Sequence, residues 1–228
     1  MALIQLRKVV KTYTRGGETL RVLDQLDLDM EAGGFYALMG PSGSGKTTLL
    51  NLIGGLDRAD EGQIVIDGED IAAMRGPELA DWRAEKVGFV FQGFNLIPVL
   101  TAQENVELPL LLTKLSRSQR REHAQTALEL VGLGDRRTHR PSQLSGGQEQ
   151  RVAIARALVS DPMLVLADEP TGDLDRKSAD DVLRLLRQLN EQYQKTILMV
   201  THDMAAAQQA KTIVHMDKGR LGSIEQLR

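Results

Sequence analysis

The sequence predicts an α/β protein: a mainly parallel sheet covered by helices, an antiparallel β-layer ahead of it, and an inserted helical subdomain. Three observations lead there. Short apolar runs at 35–39, 87–91, 163–167 and 196–200 alternate with helical patterns, as in parallel strands buried on both faces. The first run enters a glycine-rich stretch and continues into Thr47-Thr48-Leu49-Leu50-Asn51-Leu52-Ile53, which reads as strand, loop, helix. Between Gln92 and Asp161 no stretch reads as a strand. The 228 residues are expected to form one unit, with 1–91 and 162–228 as core and β-layer and 92–161 as the helical subdomain.

Along the chain, Ile4, Leu6 and Lys8 alternate with Gln5 and Arg7, and Leu26, Leu28 and Met30 with Asp27 and Asp29. Period two predicts two half-buried strands, joined at the turn Arg15-Gly16-Gly17-Glu18. Tyr13, just before that turn, reads either as a packing aromatic or as a surface on which a base could stack. Gly54-Gly55 closes the first helix, and Asp67-Gly68 makes a hairpin turn. Pro77 opens a short helix to Glu85. Thr101-Ala102-Gln103-Glu104 and Ser116-Arg117-Ser118-Gln119 are capping-box patterns. Ala124, Ala127, Leu128 and Val131, then Val182, Leu185, Leu186 and Leu189, form helical apolar stripes.

The chemistry gathers where strands end, the edge of a parallel sheet at which ligands sit. Gly40-Pro41-Ser42-Gly43-Ser44-Gly45-Lys46-Thr47-Thr48 fits G-x-x-x-x-G-K-[ST] at every fixed position, which sharpens the expected core to a P-loop NTPase. Its glycines let backbone N–H groups converge on one anion, and the following helix N-terminus adds positive charge. Lys46 is expected on the β- and γ-phosphates, and the Thr47 hydroxyl on Mg²⁺. Asp168 ends a buried strand and is expected to hold Mg²⁺ with Thr47. Glu169, pointing the other way if the strand continues, is the candidate to polarise the attacking water. Gln92 suits a metal-shell or water ligand, although a strand-end Gln is also an ordinary solvated residue. His202 is either a γ-phosphate ligand or a capping histidine. Ser145 and Gln148, around Gly146-Gly147, form a capping box that reads as a second anion site on the helical subdomain or as a cap with no ligand.

Composition narrows the function classes. Net charge is -3 with the signs interspersed, so no basic footprint for nucleic acid is present. Without cysteine there are no disulfides or thiolate metal sites, which fits a reducing compartment. No signal peptide is expected at the N-terminus, and no apolar run approaches the ~20 residues of a membrane span. Any membrane role is expected to come through a partner.

Taken together, these residues resemble the ATP-binding cassette (ABC) ATPases over nearly the whole chain. GPSGSGKT at 40–47, Gln92, LSGGQ at 144–148, LVLADEP at 164–170, GDLD at 172–175 and His202 follow the family's order. The resemblance implies Walker A, Q-loop, signature, Walker B with Glu169 as catalytic residue, a D-loop with Asp175, and a switch His202. It favours Tyr13 as the adenine-stacking aromatic. It also implies a head-to-tail pair of copies, with each ATP between Lys46 of one and Ser145 and Gly147 of the other. VGFVFQGFNLIPVLTAQENVELPL at 87–110 is similar to the lipoprotein-release and macrolide-export branch. That implies an ATPase on the cytoplasmic face of the membrane, powering integral permease subunits that dock near Gln92–Leu100 and export or extract a substrate. A regulator of a cell-division membrane complex is the alternative, and a soluble, non-transport ABC ATPase a more distant one. Phe94, Leu96, Ile97 and Leu100 read as either the docking surface or the subdomain's own core. Glu149, where a second Gln is common, is expected to be a surface change. The end at Arg228 leads us to expect no appended regulatory domain.

Overall fold

The computed structural model describes residues 2–227. Two long strands, β1 (Ala2–Arg15) and β2 (Glu18–Glu31), form an antiparallel hairpin, and β3 (Phe35–Met39) begins the main sheet. After α1 (Lys46–Ile53), β4 (Glu61–Ile66) and β5 (Glu69–Asp70) return to the first layer. Then come α2 (Gly76–Lys86), β6 (Val87–Phe91), α3 (Ala102–Glu107), α4 (Arg117–Leu130) and α5 (Gly146–Leu158). The chain closes with β7 (Leu164–Asp168), α6 (Arg176–Tyr193), β8 (Thr196–Val200), α7 (Met204–Ala207), β9 (Thr212–Asp217) and β10 (Arg220–Gln226).

The main sheet runs β10-β9-β3-β8-β7-β6, parallel except for β10, and the smaller antiparallel sheet runs β2-β1-β4-β5. Side-chain alternation along the parallel strands builds two cores. Phe35, Ala37, Val165, Ala167, Ile197 and Met199 face the side covered by α3 to α7. Tyr36, Leu38, Leu164, Leu166, Leu198 and Val200 face α1, α2 and the antiparallel layer. Each strand thus reads apolar throughout because both of its faces are covered.

Local signals are matched closely in several elements. Thr101 and Ser116 accept from the N–H groups of Glu104 and Gln119 in reciprocal capping boxes. Asp67 and Gly68 take φ 52° and 81°, the conformation a two-residue hairpin requires. Lys8 departs from the pattern that put it with Ile4 and Leu6. It is exposed at φ 50°, its N–H bonded to Asp27 Oδ1 (3.0 Å), and the ladder shifts register between Leu6 and Val9. The extra residue of this bulge brings Val9 and Val10 inward instead.

Of the apolar residues in the stretch after β6, Phe94, Leu96 and Leu100 are half-buried and Ile97 is exposed. Leu96 packs against the helical core, whereas Ile97 and Val99 are exposed. Fully buried Asn105 organises the loop: its Oδ1 accepts from Ile97 N–H (2.7 Å), and its Nδ2 lies 3.0–3.3 Å from the carbonyls of Ile97, Leu100 and Thr101. Asn105→Ala removes these bonds from partly buried backbone groups and is expected to lower unfolding stability by roughly 1–3 kcal/mol. Urea denaturation with an unchanged m-value measures it.

Candidate active site

The register places four strand ends side by side. Leu38 pairs with Val200, Val200 with Asp168 and Asp168 with Phe91, so Gly40, His202, Glu169 and Gln92 follow on one edge. A cleft of about 650 Å³ opens there. One wall is the loop after β3. Gly43 and Gly45 adopt φ 77° and 100°, and a Cβ on Gly45 would stand 2.9 Å from the Val22 carbonyl. Glycine is thus required both for the turn and for the approach to β2. Ser44 is buried, and its carbonyl accepts from the Gly219 N–H (3.0 Å), fixing the loop to the turn after β9. Helix α1 starts without a side-chain cap, which leaves its first N–H groups and the positive end of its dipole to the cleft. Lys46 Nζ donates to the carbonyls of Gly40 (2.8 Å) and Pro41 (2.9 Å), so two of its three N–H bonds anchor it and one is left for an anion. Ser42, Thr47 and Thr48 complete this wall.

Glu169 also lines the cleft, and Asp168 stands just before it at the end of β7. Thr47 Oγ1 donates to Asp168 Oδ1 (3.3 Å), joining the start of α1 to the end of β7. Burial is the largest influence on Asp168 and pushes its carboxyl above the ordinary range. The Thr47 bond opposes this, the Glu169 charge adds to it, and Lys46 opposes it weakly. The strand stops at Asp168 rather than continuing. Glu169 takes φ 47°, with its N–H on the Val200 carbonyl (2.9 Å), and this left-handed residue rather than strand alternation directs its side chain. Glu169 Oε1 lies 2.9 Å from Nδ1 of the exposed His202 ring. That hydrogen bond, helped by the carboxylate charge, raises the His202 pKa above 6.5. Gln92 lines the same cleft. Its Nε2 donates to Asp173 Oδ1 (2.7 Å), leaving its Oε1 as an acceptor.

Other candidates stand apart from this cleft. Ser145 Oγ accepts from Gln148 N–H (3.3 Å) and Gln148 Oε1 from Ser145 N–H (2.9 Å), so the capping box forms at the start of α5. Neither these residues nor Gly146 and Gly147 line the cleft. Asp175 caps α6, accepting from Ser178 N–H (3.0 Å) and Oγ (2.7 Å). Tyr13 is 40% exposed; its hydroxyl donates to Asp57 Oδ2 (2.7 Å) and Lys11 Nζ sits 5.0 Å from its ring centre. Its cross-strand partner Leu20 does line the cleft, together with Val22. Those two residues, and Asp173 on Gln92, were not evident from the sequence. Glu149 is half-buried rather than a plain surface residue, and burial raises its carboxyl pKa.

Residues 23–172 match the family model for the ABC transporter. An uncharacterized ABC transporter ATP-binding protein of Thermotoga maritima is 47% identical over 97% of this chain and 94% of its own. The macrolide export ATP-binding/permease protein MacB of Brucella melitensis is 46% identical over 96% of this chain but only 34% of its own. Among solved structures, the ATP-binding cassette MJ0796, whose sequence is from Methanocaldococcus jannaschii, was captured as a dimer in a post-hydrolysis state with ADP and Pi. It superposes with a TM-score of 0.90 at 45% identity, covering 99% of both chains.

The His202–Glu169 contact has a definite pH signature. Because the folded pKa of His202 lies above its ordinary 6.5, the stabilisation from this contact is fully present below about pH 6.5. It is lost as pH rises through the raised value. An NMR titration is expected to show this elevation, and Glu169→Gln to bring His202 back toward 6.5.

Proposed function

The chain belongs to the ABC transporter family as its ATP-binding, ATP-hydrolysing cassette, and we propose that it powers a bacterial membrane complex that exports or extracts a substrate. The observation that carries this reading is that the Ser145–Gln148 turn does not line the cleft built on the loop after β3 of the same chain. A head-to-tail second copy would bring its Ser145, Gly146, Gly147 and Gln148, with Asp175 nearby, onto the nucleotide held by the first. The dimeric state of the MJ0796 cassette supports this arrangement.

In this reading the N–H groups around Gly43 to Thr48 and the free N–H of Lys46 bind the β- and γ-phosphates. Tyr13 offers a ring face to adenine beside Leu20. Thr47 Oγ1 and Asp168 Oδ1, two oxygen donors meeting at the phosphate end of the cleft, fit Mg²⁺, with the Gln92 Oε1 as a further or water-bridged donor. Bound there, Mg²⁺ would neutralise phosphate charge. Glu169 accepts the proton of the attacking water, held in place by His202. The raised pKa of His202 favours the form that donates from both ring nitrogens, one to Glu169 and one to the γ-phosphate. Catalysis is then positioning and charge stabilisation of an in-line attack.

Residues 92–161 are proposed as a helical subdomain that couples the cleft to an integral permease. Exposed Ile97 and Val99, a few residues beyond Gln92, support docking there. Among the described residues no helix is long and apolar enough to cross a membrane, which fits a peripheral subunit on the cytoplasmic face. MacB, named an ATP-binding/permease protein and matched over only about a third of its length, supports a permease as the working partner of the cassette.

Steady-state ATPase assays test the assignment. Lys46→Ala is expected to lose ATP binding. Glu169→Gln is expected to keep binding while turnover falls by about 10²–10⁴-fold, the range for a lost general base. Parental turnover in Glu169→Gln would remove the proton-accepting role. Purification from detergent-solubilised membranes is expected to bring down a permease; a chain recovered alone, with ATPase stimulated by nucleic acid, would contradict the transporter reading.

A further inference from the structure

Helix α5 contributes one side chain that the mechanism above leaves unused. Gln150 is fully buried, and its Nε2 donates to the carbonyls of Phe91 (3.2 Å) and Pro170 (2.5 Å). Phe91 immediately precedes Gln92, and Pro170 immediately follows Glu169. β6 and β7 are paired as far as Phe91 and Asp168. Beyond that pair the chains leave the sheet separately, Gln92 toward Asp173 and Glu169 through its left-handed turn. Gln150 bridges the carbonyl of Phe91, in the last ladder pair, to that of Pro170, two residues beyond Asp168, using both N–H bonds of a single amide.

Its other half points to the same role. Gln150 Oε1 is buried without a hydrogen-bond partner. A side chain serving only to fill this space would avoid that cost by being apolar, so what the amide supplies is its pair of donors. Six residues further along the same helix, the Arg156 guanidinium donates to the carbonyls of Phe94 and Asn95. Helix α5 therefore grips the chain on both sides of Gln92, and its first turn carries Ser145–Gln148.

We propose that Gln150 is a positioning residue for hydrolysis, setting the separation of Gln92 and Glu169 and tying both to the orientation of the Ser145–Gln148 turn. The proposal rests on reading the cleft as the ATPase site. Engagement of Ser145 with a nucleotide on the second copy shifts α5, and the amide carries that shift to the backbone beside Glu169. Nucleotide affinity, set by the loop after β3, is left unchanged.

Gln150→Met keeps the volume and removes both donors, and Gln150→Leu is run beside it. In whichever variant keeps the parental melting temperature, kcat is expected to fall roughly 10–100-fold, as for a misplaced reacting group, while KM for ATP stays within about twofold. The amides of Phe94 and Gly172, bonded to the carbonyls of Phe91 and Glu169, are expected to exchange with deuterium about tenfold faster, both together. Parental kcat, a KM that rises in step with the loss, or faster exchange in one segment only would overturn the proposal. So would loss of fold in both variants, which would make Gln150 a structural residue. A parental protein without ATPase activity sinks the functional reading alone, and the two exchange rates then decide the bridge by themselves.

Discussion

One row of paired residues crosses the parallel sheet, Leu38 beside Val200, Val200 beside Asp168 and Asp168 beside Phe91, and the site depends on that register. Each strand alternates between two buried cores, so a slip of one residue would send its side chains to the wrong face and move its terminal residue off the edge. The hydrophobic patterning that stabilises the fold is therefore also what brings Gly40, Gln92, Glu169 and His202 together.

The electrostatics of the cleft balance in pairs. The loop after β3 and Lys46 bring positive charge to the cleft, which in the proposed mechanism meets the phosphates, while Asp168 and Glu169 bring two carboxylates to the end of β7. Burial already disfavours the ionised form of Asp168. In the proposed mechanism a cation shared with Thr47 would offset that carboxylate, while His202 already lies against Glu169. Closure by a second copy, as proposed, would add the dipole of α5 and the Ser145 hydroxyl on the remaining open side. Binding of ATP and association of two copies would then be linked equilibria, each strengthening the other.

Much of this was legible because its causes are local. The loop at 40–48 announces itself through glycine spacing and its flanking strand and helix. The caps at Thr101, Ser116 and Ser145 follow from residue type and a three-residue offset. The parts that were not legible are set by tertiary packing. The bulge at Lys8 arises where β1 must pair with β2 and β4 at once. The left-handed turn at Glu169 is held by the Val200 carbonyl, a residue far along the chain. Leu20 and Val22 reach the cleft only because the β1–β2 hairpin folds over it. Asp173 and Gln150 make their contacts with segments distant in sequence, which their residue types and neighbouring motifs alone do not reveal.

We propose that the loop after β3 is one half of a site completed by a second copy, and a mixed-dimer assay tests that most directly. Lys46→Ala disables the loop of one chain and Ser145→Arg the signature turn of another, so each variant alone is expected to be inactive. Mixed at equal amounts, they are expected to recover about one quarter of parental ATPase activity, since half of randomly paired dimers are mixed and each holds one intact site of two. A mixture no more active than its separate components would contradict a site shared between two copies.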